Sequence, residues 1–288
     1  MQENETSIGI FDSGVGGLSV LKEIRILLPS LPVFYFADQG HIPYGSRELT
    51  EIQAFSASIT RFLLARRAKL IVVACNAASA AALLYLRQNF PAIPFVGMEP
   101  AVKPAAESTR TGRVGILATP ATFQGKLYAS VVERFASGVT ILQDTCPGLV
   151  SQIEKGDLTG RETQMILENA LLPMKEQGID TVVLGCTHYP FVIPLIKQIV
   201  GPDVRVIDPA PAVARQVARV LDASGLGEPE RGLGGLQFFT SGDAERFEFI
   251  LPVLFGEKGH IRRVTWAGNE LDPMNADNPF SKPPDSLE

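Results

Sequence analysis

Short apolar runs alternate with amphipathic stretches along most of the chain. Several runs, such as Leu70–Ala74 and Thr181–Leu184, are apolar on both faces, which is typical of parallel strands buried between helix layers. The predicted strands are Ser7–Phe11, Val33–Ala37, Leu70–Ala74, Phe95–Met98, Val114–Leu117, Val139–Leu142, Thr181–Leu184, Val204–Ile207 and Gln237–Thr240. The predicted helices are Leu18–Leu28, Glu48–Arg66, Ala77–Asn89, Val102–Ser108, Ala121–Phe135, Arg161–Gln177, Phe191–Val200 and Ala212–Ala223. This alternation predicts an α/β fold with parallel sheets.

Two segments of the chain resemble each other. LIVVACNAAS and TVVLGCTHYP each begin as an apolar strand, continue through a cysteine and a small polar turn, and lead into a helix. This internal similarity predicts two similar α/β domains related by pseudo-twofold symmetry, with Cys75 and Cys186 at equivalent positions.

Two proline-containing joints indicate where the chain crosses between these domains. They are GMEPAVKP at 97–104 and DPAP at 208–211. We therefore predict a first domain from residues 1–99 plus 208–267 and a second domain from 100–207. The polar, proline-rich end, 268–288, is predicted to be a disordered tail.

Composition and charge exclude several classes of protein. The 288 residues are 45% hydrophobic and 20% charged, with a net charge of −5. A mildly acidic chain argues against nucleic-acid binding and against an anionic membrane as partner. The N-terminal segment lacks the features of a secretory signal, and three cysteines do not make a disulfide framework, so we expect a cytoplasmic protein with free thiols.

Cys75 and Cys186 are the first candidates for chemistry. Each follows a buried strand and precedes a helix, and ligands of open α/β sheets bind at the carboxyl ends of strands. A helix N-terminus also stabilises a thiolate. A single such cysteine could equally be a small buried hydrophobe, but His188 follows Cys186 and could hold a thiolate or relay its proton.

Asp12 ends the first predicted strand, in GIFDSGVGGLSV. It could act at a site or simply cap the next helix. The glycines that follow would let the backbone approach a ligand, but the run fails the dinucleotide fingerprint because Ser19 occupies the last glycine position. A carboxylate-binding turn at a helix N-terminus fits better.

Other polar positions have two interpretations each. Tyr44 and Gly45, in HIPYGSRE, could lie over a site or form an ordinary turn. Thr119 and Thr122 follow a predicted strand and could bind a substrate's ammonium or carboxylate, or cap the next helix. Glu154 has the pattern of a solvated helical glutamate.

Alternative chemistries are less compatible with the sequence. Cys146 has no evident partner and is interpreted as structural. The chain contains no paired zinc-ligand motif and no P-loop. A cysteine protease would need one nucleophile with its histidine rather than two thiols in echoing segments.

Together these motifs resemble the glutamate racemase family. The similarity runs from Ile8 to about Phe255 through DSGVGGLSV, ADQGHIPYGSR, ACNAAS, GMEPAVKPA, GILATPATF, CPGLV, LGCTHYPF, IDPAPAVA and TSGD. The resemblance implies an active site in the cleft between two α/β domains. It also implies interconversion of L- and D-glutamate without pyridoxal phosphate or metal, supplying D-glutamate for peptidoglycan.

The resemblance also implies roles for individual residues. Cys75 and Cys186 would be the two bases, acting on D- and L-glutamate respectively; Asp12 would assist Cys75, and His188, helped by Glu154, would assist Cys186. The residues implied around the substrate are Asp12, Ser13, Tyr44, Gly45, Asn76, Ala77, Thr187 and His188.

One position departs from the family pattern, and two rival functions stay open. Ala77 stands where the family commonly has threonine, so a hydroxyl contact to substrate would be lost there. The rivals are an aspartate racemase of the same superfamily and a non-enzymatic amino-acid-binding protein. The expected partners are a small-molecule substrate and a second copy of the chain in a homodimer.

Overall fold

The computed structural model describes residues 6–227, 232–268 and 270–271. The strands are β1 Ile8–Asp12, β2 Val33–Ala37, β3 Leu70–Val73, β4 Phe95–Gly97, β5 Arg113–Ala118, β6 Thr140–Asp144, β7 Thr181–Gly185, β8 Arg205–Ile207, β9 Leu236–Thr240, β10 Ile261–Arg263, β11 Trp266–Ala267 and β12 Glu270–Leu271. The α-helices are α1 Leu18–Leu27, α2 Leu49–Ala65, α3 Asn76–Asn89, α4 Val102–Ser108, α5 Pro120–Gln124, α6 Lys126–Phe135, α7 Leu149–Glu154, α8 Arg161–Glu176, α9 Ile193–Val200, α10 Ala210–Ala223 and α11 Ala244–Leu254. Short 3₁₀ turns occupy Gln39–His41, Tyr44–Ser46 and Tyr189–Val192.

Two parallel sheets organise the molecule, as the alternating pattern predicts. The first has the strand order β10-β9-β2-β1-β3-β4 and the second β6-β5-β7-β8. All pairings within them are parallel. The central strands β1, β3 and β7 are buried at every residue because helices cover both faces.

The two halves share one strand order. Numbered within each half, the first four strands run 2-1-3-4 in both sheets, and β9 and β10 extend the first sheet beyond β2. The prediction of two similar α/β halves is confirmed. Cys75 directly follows the residue after β3, and Cys186 directly follows β7, so the two cysteines belong to corresponding strands.

The chain leaves the first sheet after β4 and returns to it after β8. The returning helix α10 buries an apolar face that includes Val213 and Val217 and packs against α1. The strand predicted at Gln237–Thr240 forms as β9 and pairs with β2, so the C-terminal part rejoins the first sheet. The predicted boundaries between the domains (1–99 with 208–267, and 100–207) do not cut through any strand of the two parallel sheets. The exact limits stay a prediction.

One helix prediction differs from the structure in its detail, and several elements were not predicted. The helix predicted at 121–135 is divided into α5 and α6 at Gly125, whose backbone is extended. A Cβ at Gly125 would lie 2.9 Å from Ala80 Cβ, so the chain passes α3 too closely for a side chain there. The sequence patterns also did not predict α7, α11, β10 or the hairpin β11–β12.

The predicted disordered tail, 268–288, is wrong at its beginning. Glu270 and Leu271 form β12 and pair with β11, and Leu271 is buried against α2. The tail was predicted to be disordered from its polar, proline-rich composition as a whole, which gives no sign of the single apolar contact of Leu271. Residue 269 and residues 272–288 lie outside the described residues.

None of the helices within the described ranges has the length and apolar character needed to cross a bilayer.

Candidate active site

The carboxyl ends of β1, β3, β5 and β7 bring most of the predicted site residues together. Asp12 ends β1, and Thr187, which follows Cys186 after β7, donates its hydroxyl to Asp12 Oδ2 over 2.9 Å. Ser19 Oγ, on α1, donates to the Thr187 carbonyl over 2.9 Å. These bonds join the two sheets' halves where their strands end, so the predicted cleft between the halves is the place where the residues meet.

Cys75 is the N-cap residue of α3. Its Sγ accepts the Ala78 N–H over 3.5 Å and donates to Ser13 Oγ over 3.6 Å. Burial, and then the negative charge of Asp12, raise the pKa of Cys75 from 9.0 to about 12. The charge of Cys186 makes a smaller contribution to the same rise in the pKa of Cys75. Cys75 is therefore a protonated thiol at neutral pH.

Asp12 is completely buried between the two cysteine segments. Its Oδ1 accepts the Gly14 N–H over 2.8 Å, and its Oδ2 accepts the Thr187 hydroxyl. Burial raises the pKa of Asp12 above 3.8, although the positive charge of His188 opposes this shift. Asp12 does not cap α1, because the cap position is Gly17 and carries no side-chain bond.

His188 connects Cys186 to Glu154. Its Nδ1 lies 3.7 Å from Cys186 Sγ, and its Nε2 lies 2.7 Å from Glu154 Oε1. Burial favours the neutral ring, but hydrogen bonds to Cys186 and Glu154 outweigh it and raise the pKa of His188 well above 6.5. The imidazolium donates from both nitrogens, one toward the sulfur and one toward the carboxylate.

Glu154 is not the solvated helical glutamate that its pattern indicates. Burial would raise the pKa of Glu154, but hydrogen bonding and the charge of His188 lower it below 4.5. Its Oε1 also accepts the Val15 N–H over 2.8 Å, and its Oε2 accepts Gln39 Nε2 over 2.9 Å. The local pattern could not show this, because Val15 is 139 residues away.

The glycine turn after β1 approaches protein side chains. A Cβ at Gly14 would collide with Glu154 Oε1, and one at Gly16 would lie 2.5 Å from His188 Nδ1. The predicted carboxylate-binding turn thus binds the carboxylate of Glu154 through the Val15 N–H.

The predicted residues of the neighbouring turns also lie at this edge. Thr119 Oγ1 is 3.2 Å from Thr122 Oγ1, and Thr122 Oγ1 is 3.5 Å from the carbonyl of Gly185, just before Cys186. A Cβ at Gly45 would lie 3.1 Å from Thr119 Cβ. Tyr44 is buried, and the charges of Asp38, Cys75 and Asp12 help burial to raise its pKa well above 10.0.

Asn76 and Ala77 begin α3 and are both buried. Within the described residues, Asn76 Oδ1 has no hydrogen-bond partner. A buried acceptor left unpaired is costly, so its position suits a ligand that brings a donor, such as an ammonium group. Ala77 offers no side-chain polar group in addition.

An open cavity of about 630 Å³ adjoins this cluster. Glu154, Tyr189 and Cys146 contribute to one part of its wall, and Gly45 and Thr119 contribute to another. Among the described lining residues neither Cys75 nor Cys186 occurs, so the cavity lies outside the sulfur pair. In the part of the chain that the structure describes, no group of His, Cys, Asp and Glu is arranged to hold a metal ion.

Asp38 and Gln39 were missed as candidates from the sequence. Both follow β2, the neighbour of β1, and the strand-end rule that selected Asp12 would have selected them too. Gln39 binds Glu154 on one side and accepts the Thr240 hydroxyl over 2.9 Å on the other.

The arrangement is suited to moving a proton at one carbon atom. Two buried sulfurs, at corresponding strand ends, face a shared carboxylate–imidazolium network from the two halves of the molecule. One sulfur holds a proton firmly, and the other contacts an imidazolium.

Comparison with known proteins places these features in a family context. The family model described as Asp/Glu/Hydantoin racemase matches residues 16–217. The chain is 52% identical to a glutamate racemase of Roseiflexus sp. over 245 residues, which cover 85% of this chain and 90% of that one.

Two solved structures are similar over nearly the whole chain. Glutamate racemase of Escherichia coli, in complex with L-glutamate and an activator, has a TM-score of 0.81 and 32% identity, covering 92% of this chain and 100% of that one. Glutamate racemase of Francisella tularensis, in complex with D-glutamate, has a TM-score of 0.79 and 28% identity, covering 91% of this chain and 98% of that one.

Proposed function

We propose that the protein interconverts L- and D-glutamate with two cysteine bases. The premise is that the chain belongs to the Asp/Glu/Hydantoin racemase family and is a racemase. One observation carries the mechanism. Two buried thiols follow corresponding strands of two similar halves, and the charge of Cys186 contributes to the raised pKa of Cys75. The substrate is proposed from relatives that are named glutamate racemases.

Racemisation requires removal of the α-hydrogen as a proton from one face and its replacement from the other. Two fixed groups can do this in place: one thiolate takes the proton, and the opposite thiol gives its own proton to the other face. Each turnover leaves the enzyme with its proton on the other sulfur. Proton transfer of this kind is efficient when the acid and base are held and tuned by neighbours.

The raised pKa of Cys75 favours one direction of the first step. Cys75 holds its proton, because burial and Asp12 raise its pKa to about 12. Cys186 contacts the His188 imidazolium, which can donate to a thiolate. We propose that this form takes the proton of L-glutamate at Cys186 and returns one from Cys75 to give D-glutamate.

The carbanion formed between these steps needs a dry, polar environment. Cys75, Cys186, Asp12 and His188 are nearly or fully buried, so fixed charges act there more strongly than they would in water. We propose that eight further residues line the substrate pocket, namely Ser13, Tyr44, Gly45, Asn76, Ala77, Thr119, Thr122 and Thr187. The unpaired Asn76 oxygen supports a contact to the substrate's ammonium group.

The wider role follows the same proposal. D-glutamate would be supplied for peptidoglycan by a cytoplasmic homodimer. Aspartate is the alternative substrate, and it is tested beside glutamate in the same assay.

Circular dichroism of L- or D-glutamate with the purified protein, without added cofactor, tests the function. We expect each enantiomer to lose its signal with the wild type. Cys75→Ala and Cys186→Ala should each lower kcat by roughly 10³-fold or more, because each removes an obligatory acid or base. Far-ultraviolet spectra and thermal unfolding check that both variants remain folded; normal turnover by either would exclude the two-thiol mechanism.

Deuterium exchange separates the remaining alternatives. In deuterated water, α-deuterium should accumulate mainly in the inverted product. Rapid exchange into unreacted substrate would indicate one mobile base, and binding without any exchange would indicate an amino-acid-binding protein.

A further inference from the structure

The loop between β2 and α2, residues 38–46, carries Tyr44 and Gly45, two of the proposed substrate contacts; we call it the 38–46 loop. It also contacts the other half of the molecule, because Gln39 binds Glu154 and Gly45 packs against Thr119. Its position therefore controls two proposed substrate contacts and one contact to the His188 network.

A buried carboxylate at the start of the loop gathers donors from two regions. Asp38, which is 0% exposed, accepts Tyr44 Oη over 2.6 Å, and its Oδ2 lies 3.0 Å from His41 Nδ1. It also accepts Ser241 Oγ over 2.6 Å and Trp266 Nε1 over 2.9 Å. A buried carboxylate is tolerated only when its oxygens are well bonded, and here the bonds tie the loop to the C-terminal part of the chain.

Aromatic packing reinforces the same connection. The His41 ring stacks on Phe55 of α2, with centroids 3.9 Å apart and planes at 15°. The Trp266 ring packs edge-to-face with His41, with centroids 4.9 Å apart, and with Phe55, with centroids 5.3 Å apart. The loop's histidine is therefore held between α2 and the hairpin β11–β12, which carries Trp266.

The hairpin is fastened to α2 independently of the loop. The Leu271 N–H donates to Ser58 Oγ over 2.9 Å, and Ser58 Oγ donates to Glu270 Oε2 over 3.1 Å. Arg61 pairs with Glu270 at 2.6 Å. Trp266 thus projects from an anchored element, and that element lies outside residues 16–217, the part matched by the family model.

We propose that Asp38 and Trp266 are positioning residues for substrate binding: they hold the 38–46 loop so that Tyr44 and Gly45 face the substrate. Neither residue touches the reacting atoms; each acts through the loop. The inference rests on the proposed function for its kinetic part, since it assigns the C-terminal hairpin to the substrate-binding apparatus of that same site.

The test uses Asp38→Asn and Trp266→Phe in the full-length protein. Asparagine replaces one acceptor oxygen by an N–H donor, and phenylalanine keeps an aromatic ring without its N–H. We expect KM for glutamate to rise about tenfold in Asp38→Asn and about threefold in Trp266→Phe, with kcat changing by less than KM, because substrate contacts are weakened while the thiols stay in place.

Asp180→Asn is the matched control. Asp180 is also a buried carboxylate with several donors, namely Thr109, Arg110, Thr111 and Thr181, but it lies at the opposite end of β7 from Cys186. This variant should lower the unfolding temperature comparably and leave KM unchanged. Equal KM changes in Asp38→Asn and Asp180→Asn would overturn the proposal.

Hydrogen exchange of peptides from 38–46 gives a readout that does not need activity. Exchange should become faster in Asp38→Asn and Trp266→Phe but not in Asp180→Asn. Unchanged exchange in both loop variants would overturn the proposal even if activity fell. If the wild type does not racemise glutamate, the proposed function fails, while the exchange result still decides whether Asp38 and Trp266 hold the loop.

Discussion

The two thiols of the candidate site have different charged neighbours. Asp12 lies beside Cys75, and its charge is the largest cause after burial of the rise in the Cys75 pKa to about 12. Cys186 contacts His188, whose pKa is raised well above 6.5 by its bonds to Cys186 and Glu154. Two chemically identical side chains therefore have different electrostatic surroundings.

Asp12→Asn tests this difference at the residue scale. Removing the carboxylate charge should bring the pKa of Cys75 below about 12, because the largest electrostatic cause of the rise after burial is then lost. The ultraviolet absorbance of the thiolate, followed against pH, measures it. The double variant Asp12→Asn with Cys75→Ala is the blank that assigns the absorbance to Cys75.

The single variant Asp12→Asn should also lower kcat by roughly 10²-fold, the usual scale for losing a group that assists proton transfer. A thiolate titration identical to that of the wild type would show that Asp12 does not influence Cys75 through its charge.

At the scale of elements, the turn between β1 and α1 brings the two halves into close contact. Its glycines were predicted to allow a ligand near the backbone, but they make room for Glu154, Thr187 and His188. A Cβ at Gly16 would lie 2.5 Å from both Thr187 Oγ1 and His188 Nδ1. These side chains cannot easily move, because Asp12 and Glu154 bind them.

Gly16→Ala should therefore destabilise the protein by about 1–3 kcal/mol, the usual range for overpacking a filled site, and should also lower kcat. Thermal unfolding and the racemisation assay measure the two effects. Gly235→Ala is the control, since a Cβ there meets nothing within 4 Å. Equal stability of the two variants would contradict the close approach described for the turn.

At the scale of the whole molecule, Glu154 holds the two halves together across the site. Its carboxylate accepts from Val15 and Gln39 of the first half and contacts His188 of its own half. Glutamine at this position can no longer accept at both terminal atoms, so Glu154→Gln should lose roughly 1–3 kcal/mol of unfolding free energy.

The loss should depend on pH in a defined direction. The pKa of Glu154 is lowered from 4.5, so its contribution is complete above pH 4.5 and is lost as the pH falls through the lowered value. The pKa of His188 is raised from 6.5, so its contribution is complete below pH 6.5 and is lost as the pH rises through the raised value. Urea unfolding of wild type and Glu154→Gln should therefore differ most between pH 4.5 and 6.5. A difference that grows steadily toward alkaline pH would contradict an ion pair with His188.

Local sequence determined the repeated architecture of this molecule. Strand and helix periodicity depends on residues near each other in the chain, so it located β1 to β9 and most helices within a few residues. The echo of the Cys75 and Cys186 segments anticipated two halves with one strand order. Ligands of parallel sheets bind at the carboxyl ends of strands, so Asp12, Cys75 and Cys186 were each recognisable as candidates. That they meet across two separate sheets was implied only by the family resemblance.

Only the tertiary structure decided what surrounds these groups. Glu154 has its partners 139, 115 and 34 residues away, and Asp38 binds Trp266 across 228 residues. No local pattern encodes such contacts, because they arise when separate elements pack against each other. For the same reason the pKa values of Cys75 and His188 depend on burial and neighbouring charges that exist only after the two halves have come together.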